Sequence, residues 1–440
     1  MRASAPSDPR VLALEVLLEV GRGARSDEVL SRALDGSTVQ GADRALATRL
    51  VYGTISRQRT LDHTIAARAG RPVEKLDAPV LAALRLGLFQ IAFLDRVPPY
   101  AAVSTSVDLV RRHARSASGL VNAVLRSVLR DGMAPAPEGP VAARLGVQCS
   151  APDWLVTMWA DELGLAETEQ LLAISLEPAP TAYRALRERG EVLALLAESH
   201  VTAEPGRFGA RAIIVAGEAR PVAGMLIPQG EASQLVVEML APQPGERVLD
   251  ACAAPGGKTA YIASCVGEHG SVTAVDESPS MKARIEATLA KAPPAAPVTI
   301  VPQSVEEFAD DHRGQPFDAV LVDAPCSGLG TLRQHPEIRW RRTATDVADL
   351  AMRQHRILQS AASLLRPGGR MVYSTCTISR RENDAVIEAF LRSHGDFTLQ
   401  PPQALPAHVA ALCDAHGALR TFPHRHGIDG FYAVALQRNA

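Results

Sequence analysis

Cysteine is scarce in this 440-residue chain, and its six residues are unevenly spaced with no CxxC pair. That excludes a disulfide framework and the usual zinc-ligand spacing, and it fits a reducing compartment. Lysine is scarcer still, with four residues among 46 basic ones, and the prevalence of Arg, Ala and Gly says little about ligands. No stretch reaches the roughly eighteen apolar residues that a bilayer crossing needs. The opening Met-Arg-Ala-Ser-Ala-Pro-Ser-Asp-Pro-Arg10 has no apolar run behind it of the kind a secretory signal carries. The expectations are a cytoplasmic location, no membrane association, no metal and no obligatory protein partner. Charge of one sign is lacking too: the formal net charge is −2. Residues 1–140 hold 19 Lys or Arg against 14 Asp or Glu, a surplus of +5 that the remaining 300 residues reverse to −7. Such a mild bias permits an RNA partner without requiring one.

A chain of this length predicts two or three domains, each with its own core. From residue 9 to about 130 apolar residues recur at helical spacing, as in Val11, Leu14, Leu17 and Leu18, which predicts an all-helical domain. Its arginines Arg57, Arg59, Arg111, Arg112, Arg115, Arg126 and Arg130 suit either a phosphate-binding face or an ordinary solvated surface. Met133-Ala-Pro-Ala-Pro-Glu-Gly-Pro140 interrupts every period and is the best candidate boundary. The expected division is 1–132 helical, 141–235 a small α/β linking subdomain with short strands at 181–186 and 211–215, and 236–440 a larger α/β domain. Strands near 247–251, 271–275, 297–301, 317–323, 369–375 and 430–436 alternate with helices near 257–266, 280–290, 345–365 and 382–392. This alternation predicts a doubly wound, mostly parallel sheet, with the final strand a candidate for the antiparallel direction.

The informative stretch is Arg247-Val-Leu-Asp-Ala-Cys-Ala-Ala-Pro-Gly-Gly-Lys-Thr259. A buried strand that ends in a glycine-rich bend before a helix forms the crevice for a nucleotide-like ligand in an open α/β sheet. Gly256 and Gly257 let the backbone approach that ligand, and the helix that follows presents its positive end. The spacing lacks the GxGxxG order of a dinucleotide site, which points to a nucleoside with a modest charged tail. Glycine and proline also mark turns with no ligand at all. The next strand delivers Asp276 about twenty residues after the turn, where a carboxylate can accept hydrogen bonds from ribose hydroxyls. Its alternative is a helix cap or a surface acid.

Two later strands carry thiols. Phe317-Asp-Ala-Val-Leu-Val-Asp323 leads into Ala-Pro-Cys326, and Gly369-Arg-Met-Val-Tyr-Ser-Thr375 leads into Cys376. In an open sheet both loops face the crevice, bringing two cysteines and Asp323 beside the bound nucleoside. Either cysteine alone reads equally well as a small core hydrophobe. Together they suit one chemical problem: carbon 5 of a pyrimidine is a poor nucleophile until a thiolate adds at carbon 6. The C5 proton must then leave before that cysteine is eliminated, and a second thiol can assist.

These residues carry a resemblance. The segments Asp250 to Thr259, Asp323-Ala-Pro-Cys-Ser-Gly328, His335-Pro-Glu-Ile-Arg-Trp340, Leu365-Arg-Pro-Gly-Gly369, Tyr373-Ser-Thr-Cys-Thr377, Glu382-Asn383 and Asp429-Gly-Phe431 resemble the RsmB/Sun/Fmu family of 16S ribosomal RNA cytosine-C5 methyltransferases, within the NOL1/NOP2/Sun group. Asp43-Arg44, Leu50-Val-Tyr-Gly53, Leu84-Arg-Leu-Gly87 and Val121-Asn-Ala-Val-Leu-Arg126 resemble the NusB-like RNA-binding domain of that family. The fold class implied is multidomain: an all-α NusB-like domain followed by an α/β, Rossmann-like class I methyltransferase domain that depends on S-adenosyl-L-methionine.

The resemblance further implies Cys376 as the nucleophile and Cys326 as the cysteine that assists product release. It places Cys252, Ala253, Ala254, Pro255, Gly256, Gly257, Lys258, Asp276, Gln303 and Asp323 around the cofactor, and Arg184, Arg339 and Trp340 toward RNA, with Trp340 equally suited to anchoring a core. The implied partner is 16S ribosomal RNA before or during small-subunit assembly, with cytosine 967 or its equivalent as target. Departures are visible. The acid usual after the third strand is absent from Ile300-Val-Pro-Gln-Ser-Val305, leaving Gln303 or Ser304 to supply a neutral hydrogen bond. Arg184-Ala-Leu186 stands for Arg-x-Asn, and Gln229-Gly-Glu-Ala-Ser233 for Gln-Asp-x-Ala-Ser. A methyltransferase for tRNA or another RNA shares the same chemistry. The missing acid also leaves open a noncatalytic RNA-binding assembly factor.

Overall fold

The computed structural model describes residues 7–216 and 224–440, so 217–223, inside the expected linking subdomain, lie outside the described residues. The chain divides into two compact units, one of residues 1–178 with 332–341 and the other of 179–331 with 342–440.

The first unit is helical. Its first helix, Pro9–Gly21, is capped by Asp8, whose carboxylate accepts from the Arg10 N–H, and Pro9 stands where a helix can spare an N–H. Leu12, Leu50, Leu61, Leu84 and Leu125 are fully buried in one core. Two glycines make the close packing possible. A Cβ on Gly53 would stand 2.0 Å from the Phe89 ring, and one on Gly87 would stand 2.6 Å from Leu125. No helix among the described residues is long and apolar enough to cross a membrane.

The proline-rich stretch at 133–140 is not the end of this unit. Helices Val141–Gln148, Asp153–Leu163 and Leu165–Ile174 belong to it. Side-chain hydrogen bonds hold them against helix Gln58–Ala69: the Arg59 N–H donates to Ser150 Oγ, Arg59 Nη1 to the Ala151 carbonyl and Thr60 Oγ1 to the Val147 carbonyl. Prolines end a helix locally, but they do not decide what packs beyond them.

Among the described residues the second unit holds twelve strands. β1 (Ala182–Ala185), β2 (Ala203–Pro205), β3 (Ala212–Val215) and β4 (Leu226–Pro228) form an antiparallel sheet in the order β2-β3-β1-β4. β5 (Arg247–Asp250), β6 (Ser271–Val275), β7 (Val298–Val301), β8 (Phe317–Asp323), β9 (Leu365–Thr375), β10 (Phe397–Leu399), β11 (Leu419–Thr421) and β12 (Phe431–Arg438) form the main sheet. Its order is β10-β12-β9-β8-β5-β6-β7, with β11 paired to β12. The five strands from β9 to β7 run parallel, whereas β12 runs antiparallel to β9. Contiguous apolar strands are what a sheet covered on both faces needs. Along β8, Ala319 and Leu321 pack on the side of helices Glu231–Leu240 and Gly257–Val266, and Val320 and Val322 on the side of helix Ala344–Ser363.

β9 starts four residues earlier than expected. Leu365 pairs with Phe317 and Arg370 with Ala319, so Arg366-Pro-Gly-Gly369 is a bulge within one strand, with Gly368 at φ +69°. The two central strands, β5 and β8, part in opposite sequence directions from one another, and this switch point is where an open sheet has its crevice.

Candidate functional site

Four strand ends supply the site: Asp250 closes β5, Asp276 follows β6, Asp323 closes β8, and Cys376 follows β9. Parallel pairing sets them in a row, with Asp250 opposite Leu321 and Asp323 opposite Ser374.

The glycine turn is built as a cradle. Gly256 caps helix Gly257–Val266 in the left-handed region at φ +98°, and a Cβ there would also come within 3.1 Å of the Ile285 backbone. The first N–H groups of that helix have no intrahelical acceptor and point toward any ligand at its start. Ala253 is buried with Ala274, Met281 and Ile285, while the Pro255 carbonyl accepts from Thr288 Oγ1 at 2.7 Å. Asp276 is held open-side out: Oδ2 accepts from the Ala254 N–H and Oδ1 from the Ser278 N–H, both at 2.9 Å. Its carboxylate is thereby oriented, with lone pairs left for hydroxyl donors.

Asp250 lies beneath the turn, 1 % exposed. Its Oδ2 accepts from Thr259 Oγ1 at 2.7 Å, and its Oδ1 is buried without a partner. Burial pushes this carboxyl up to about 7, against the opposing effect of the Thr259 hydrogen bond. Cys252, packed against the core beside it, has a thiol that burial pushes well above its ordinary value, with Asp276 adding to the rise. It is suited to packing rather than to nucleophilic attack.

Lys258 reaches across the site. Its Nζ donates to Asp323 Oδ2 at 2.6 Å, and Ser374 Oγ donates to Asp323 Oδ1 at 2.7 Å. Burial opposes the charge on Lys258, yet the charge and hydrogen bond of Asp323 outweigh it and hold the ammonium above its ordinary range.

The two cysteines meet. Cys326 Sγ lies 3.2 Å from Cys376 Sγ, within hydrogen-bonding distance, and each side chain keeps some exposure. The bond to Cys376, then burial, push the Cys326 thiol well above the usual range. Cys326 is thus held as a thiol beside the other sulfur. Three backbones pack tightly next to the pair: the Gly330 N–H donates to the Cys376 carbonyl at 3.0 Å and the Gly430 N–H to the Gly330 carbonyl at 2.8 Å. A Cβ on Gly330 would stand 1.9 Å from the Gly430 oxygen, which accounts for glycine at both positions.

The fold thus gathers Asp250, the 252–258 turn, Asp276, Asp323 and both thiols. The other candidates have polar partners of their own. Gln303 follows β7, but its amide donates to Asp311, and Ser304 caps helix Val305–Asp311 in a reciprocal pair with Glu307. Arg184 is 1 % exposed; its Nε donates to Gln229 Oε1 and its guanidinium stacks on Tyr261. Arg339 has no exposed surface: Nη1 donates to the Ser150 carbonyl and Nη2 to the Ser175 carbonyl and Oγ. Trp340 donates from Nε1 to the Ile55 carbonyl and packs on the helical core. Arg184 and Arg339, expected toward RNA, are thus buried and hydrogen-bonded inside the protein. Each guanidinium keeps one buried nitrogen without a partner, Nη2 of Arg184 and Nε of Arg339, and neither reaches the surface.

Arg339 and Trp340 belong to the 332–341 segment, which folds into the helical unit. There Glu337 accepts from the Ser26 N–H and Oγ. Asp27, His335 and Glu337 bring ligand atoms within 4.8 Å of one another, but Arg25 pairs with Asp27 at 3.0 Å and Ser26 occupies Glu337, so the cluster is satisfied internally. Residues given no role from the sequence also reach the site. Gln354 and Glu382 are both fully buried behind the Cys326 loop; the Glu382-Asn383 motif was the signal that could have found the second.

A turn at the switch point, with an oriented acid on the next strand and an acid and two thiols beyond, suits a nucleoside donor bearing a charged tail. The fold and site are those of an S-adenosylmethionine-dependent methyltransferase. Residues 237–437 match the family described as 16S rRNA methyltransferase RsmB/F, and residues 7–130 match the NusB family. The chain is 34 % identical over 446 residues to the probable ribosomal RNA small subunit methyltransferase B of Bacillus subtilis, covering 98 % of each. It is 36 % identical over 439 residues to ribosomal RNA small subunit methyltransferase B of Thermus thermophilus, covering 100 % of this chain and 99 % of that one. The crystal structure of PH0851 superposes with a TM-score of 0.84 at 25 % identity, over 99 % of this chain and all of that one. The chain belongs to the RsmB/F methyltransferase family, with a NusB domain at its amino-terminal end.

Proposed function

We propose that this protein methylates carbon 5 of a cytosine in small-subunit ribosomal RNA, cytosine 967 of 16S RNA or its equivalent, through a covalent bond from Cys376 to carbon 6. The observation that carries the reading is the 3.2 Å approach of two thiols at the ends of adjacent parallel strands. Two core cysteines would not need to share a partly exposed, acid-lined crevice.

Bound S-adenosylmethionine supplies an electrophilic methyl group. Asp276 and the start of helix Gly257–Val266 would hold its ribose and charged tail. Cys376, as a thiolate opposite the Lys258 ammonium, adds to carbon 6 of the cytosine, so that the electron pair of the C5–C6 double bond becomes available at carbon 5. After methylation the proton on carbon 5 passes to a solvent water in the partly exposed crevice, and the C5–H electron pair is left to re-form the C5–C6 double bond. The C6–S bond then breaks, its electron pair returning to Cys376, and the double bond is restored. Cys326, in contact with the departing sulfur, assists this last step. The base must leave its stack to reach these thiols, and the NusB domain contributes RNA binding.

The test is incubation of the protein with donor and unmodified ribosomal RNA, followed by mapping of 5-methylcytosine at nucleotide resolution. A single modified cytosine in small-subunit RNA is the expected result. Modification of tRNA alone would replace the substrate and keep the chemistry, and absence of any methylated cytosine would reject the activity.

A further inference from the structure

Cys326 lies in a stretch without regular structure, from Ala324 to Gly328, with Gly328 at φ +76°. Soft dihedrals on both sides would let its thiol wander by an ångström or more. The loop is instead clamped at successive backbone groups. Glu382 Oε1 accepts from the Ser327 N–H at 2.7 Å and Oε2 from Ser327 Oγ at 2.6 Å. Gln354 Nε2 donates both to Glu382 Oε1 and to the Pro325 carbonyl, each at 3.0 Å. Arg342 donates from Nε to the Ser327 carbonyl at 3.2 Å.

The neighbouring Asn383 holds the other thiol. Its Oδ1 accepts from Thr375 Oγ1 at 2.6 Å and its Nδ2 donates to the Thr377 carbonyl at 3.1 Å, so it brackets Cys376 on both sides. Beside the contact of the two sulfurs, a hydrogen bond between Ser327 Oγ and Thr377 Oγ1 at 2.9 Å joins the two halves.

We propose that Glu382 is a positioning residue for the elimination step, acting through Ser327 to keep the Cys326 thiol against Cys376, while Asn383 positions Cys376 for addition. The proposal rests on the covalent reading above and divides two adjacent residues between its two halves. Glu382 touches neither sulfur. It has no solvent exposure, and its carboxylate accepts from Ser327, Gln354 and the Thr377 side chain. A carboxylate there serves geometry, and its loss should misplace the thiol that acts late.

The test compares E382A, E382Q, N383A and C326A in the full-length protein, each with donor and target RNA. The readouts are single-turnover methyl transfer, steady-state turnover and the denaturant-stable protein–RNA adduct. E382A should transfer its first methyl group nearly normally, lose about tenfold or more in steady-state turnover and accumulate adduct, since misplacement by an ångström carries a cost of this order. E382Q, whose amide oxygen still accepts from the Ser327 N–H, should lie between E382A and the unmodified protein. N383A should lose methyl transfer and adduct together. Loss of first-turnover transfer in E382A with no adduct, while C326A shows one in the same gel, would overturn the proposal. So would normal turnover in folded E382A. Absence of adduct in C326A itself would instead reject the covalent reading. If E382A does not fold, S327A, which removes the hydroxyl donated to Glu382, carries the same expectation: trapped adduct supports the clamp and unchanged turnover overturns it.

Discussion

Cys326 Sγ and Cys376 Sγ stand 3.2 Å apart although fifty residues separate them in the chain. Their environments differ: Lys258 contributes positive charge toward Cys376, whereas Cys326 is raised by its bond to Cys376 and by burial. This asymmetry predicts separate phenotypes. C376A should show neither methyl transfer nor adduct, because nothing remains to activate carbon 5. C326A should form the bond, transfer the methyl group and stall as an adduct that survives denaturation. A denaturing gel, with circular dichroism to confirm folding, distinguishes them. Adduct in C376A rather than C326A would reverse the two roles.

Asp276 is oriented by two backbone donors and has acceptor capacity to spare. D276A should weaken donor binding by about 1.5–3 kcal/mol, the scale of hydrogen bonds to a charged group. Calorimetric titration measures it, and equal affinity would mean that the ribose is held elsewhere.

Asp250 links stability to pH. Its folded value, about 7, lies above the ordinary 3.8 because of burial. An acid raised in this way contributes stability that is fully present below its unfolded pKa and is lost as pH rises through the folded one. D250N, neutral at every pH, should escape that loss. Relative to the unmodified protein it should gain stability between about pH 4 and pH 7, by a few kcal/mol at roughly 1.4 per pKa unit. Unfolding midpoints at pH 5 and pH 8 check the sign, and an unchanged difference between them would show that Asp250 does not titrate in this range.

Arg339 distinguishes a role in RNA contact from a role in holding the helical unit together. Its buried guanidinium joins Ser150 to Ser175, and burial lowers it to about 9. R339A should cost about 3 kcal/mol of stability, by loss of charge-assisted hydrogen bonds, while the folded protein keeps its RNA affinity at a fixed salt concentration. A tenfold loss of affinity at unchanged stability would restore direct contact.

What the sequence determined by itself was local. The glycine turn, the strand ends carrying Asp250, Asp276, Asp323 and both cysteines, and the helical character of the amino-terminal region follow from apolar periodicity and turn chemistry, which act over a few residues. The strand ends also converge for a general reason, since parallel strands in an open sheet point their carboxyl ends to one side. The tertiary structure decided what each side chain spends its polar atoms on. The sequence left Trp340 open between RNA and a core, and the structure has Arg339 and Trp340 close on carbonyls of the helical unit. Ser304 reads as a possible donor contact, yet Glu307 three residues on makes it a helix cap. The proline-rich break reads as a boundary, yet Arg59 and Thr60 hydrogen-bond across it. Glu382 reads as part of a motif with no role attached, yet it lies without solvent exposure beneath the Cys326 loop. Burial and hydrogen-bond pairing depend on groups tens or hundreds of residues away, and a one-dimensional pattern carries no record of those distances.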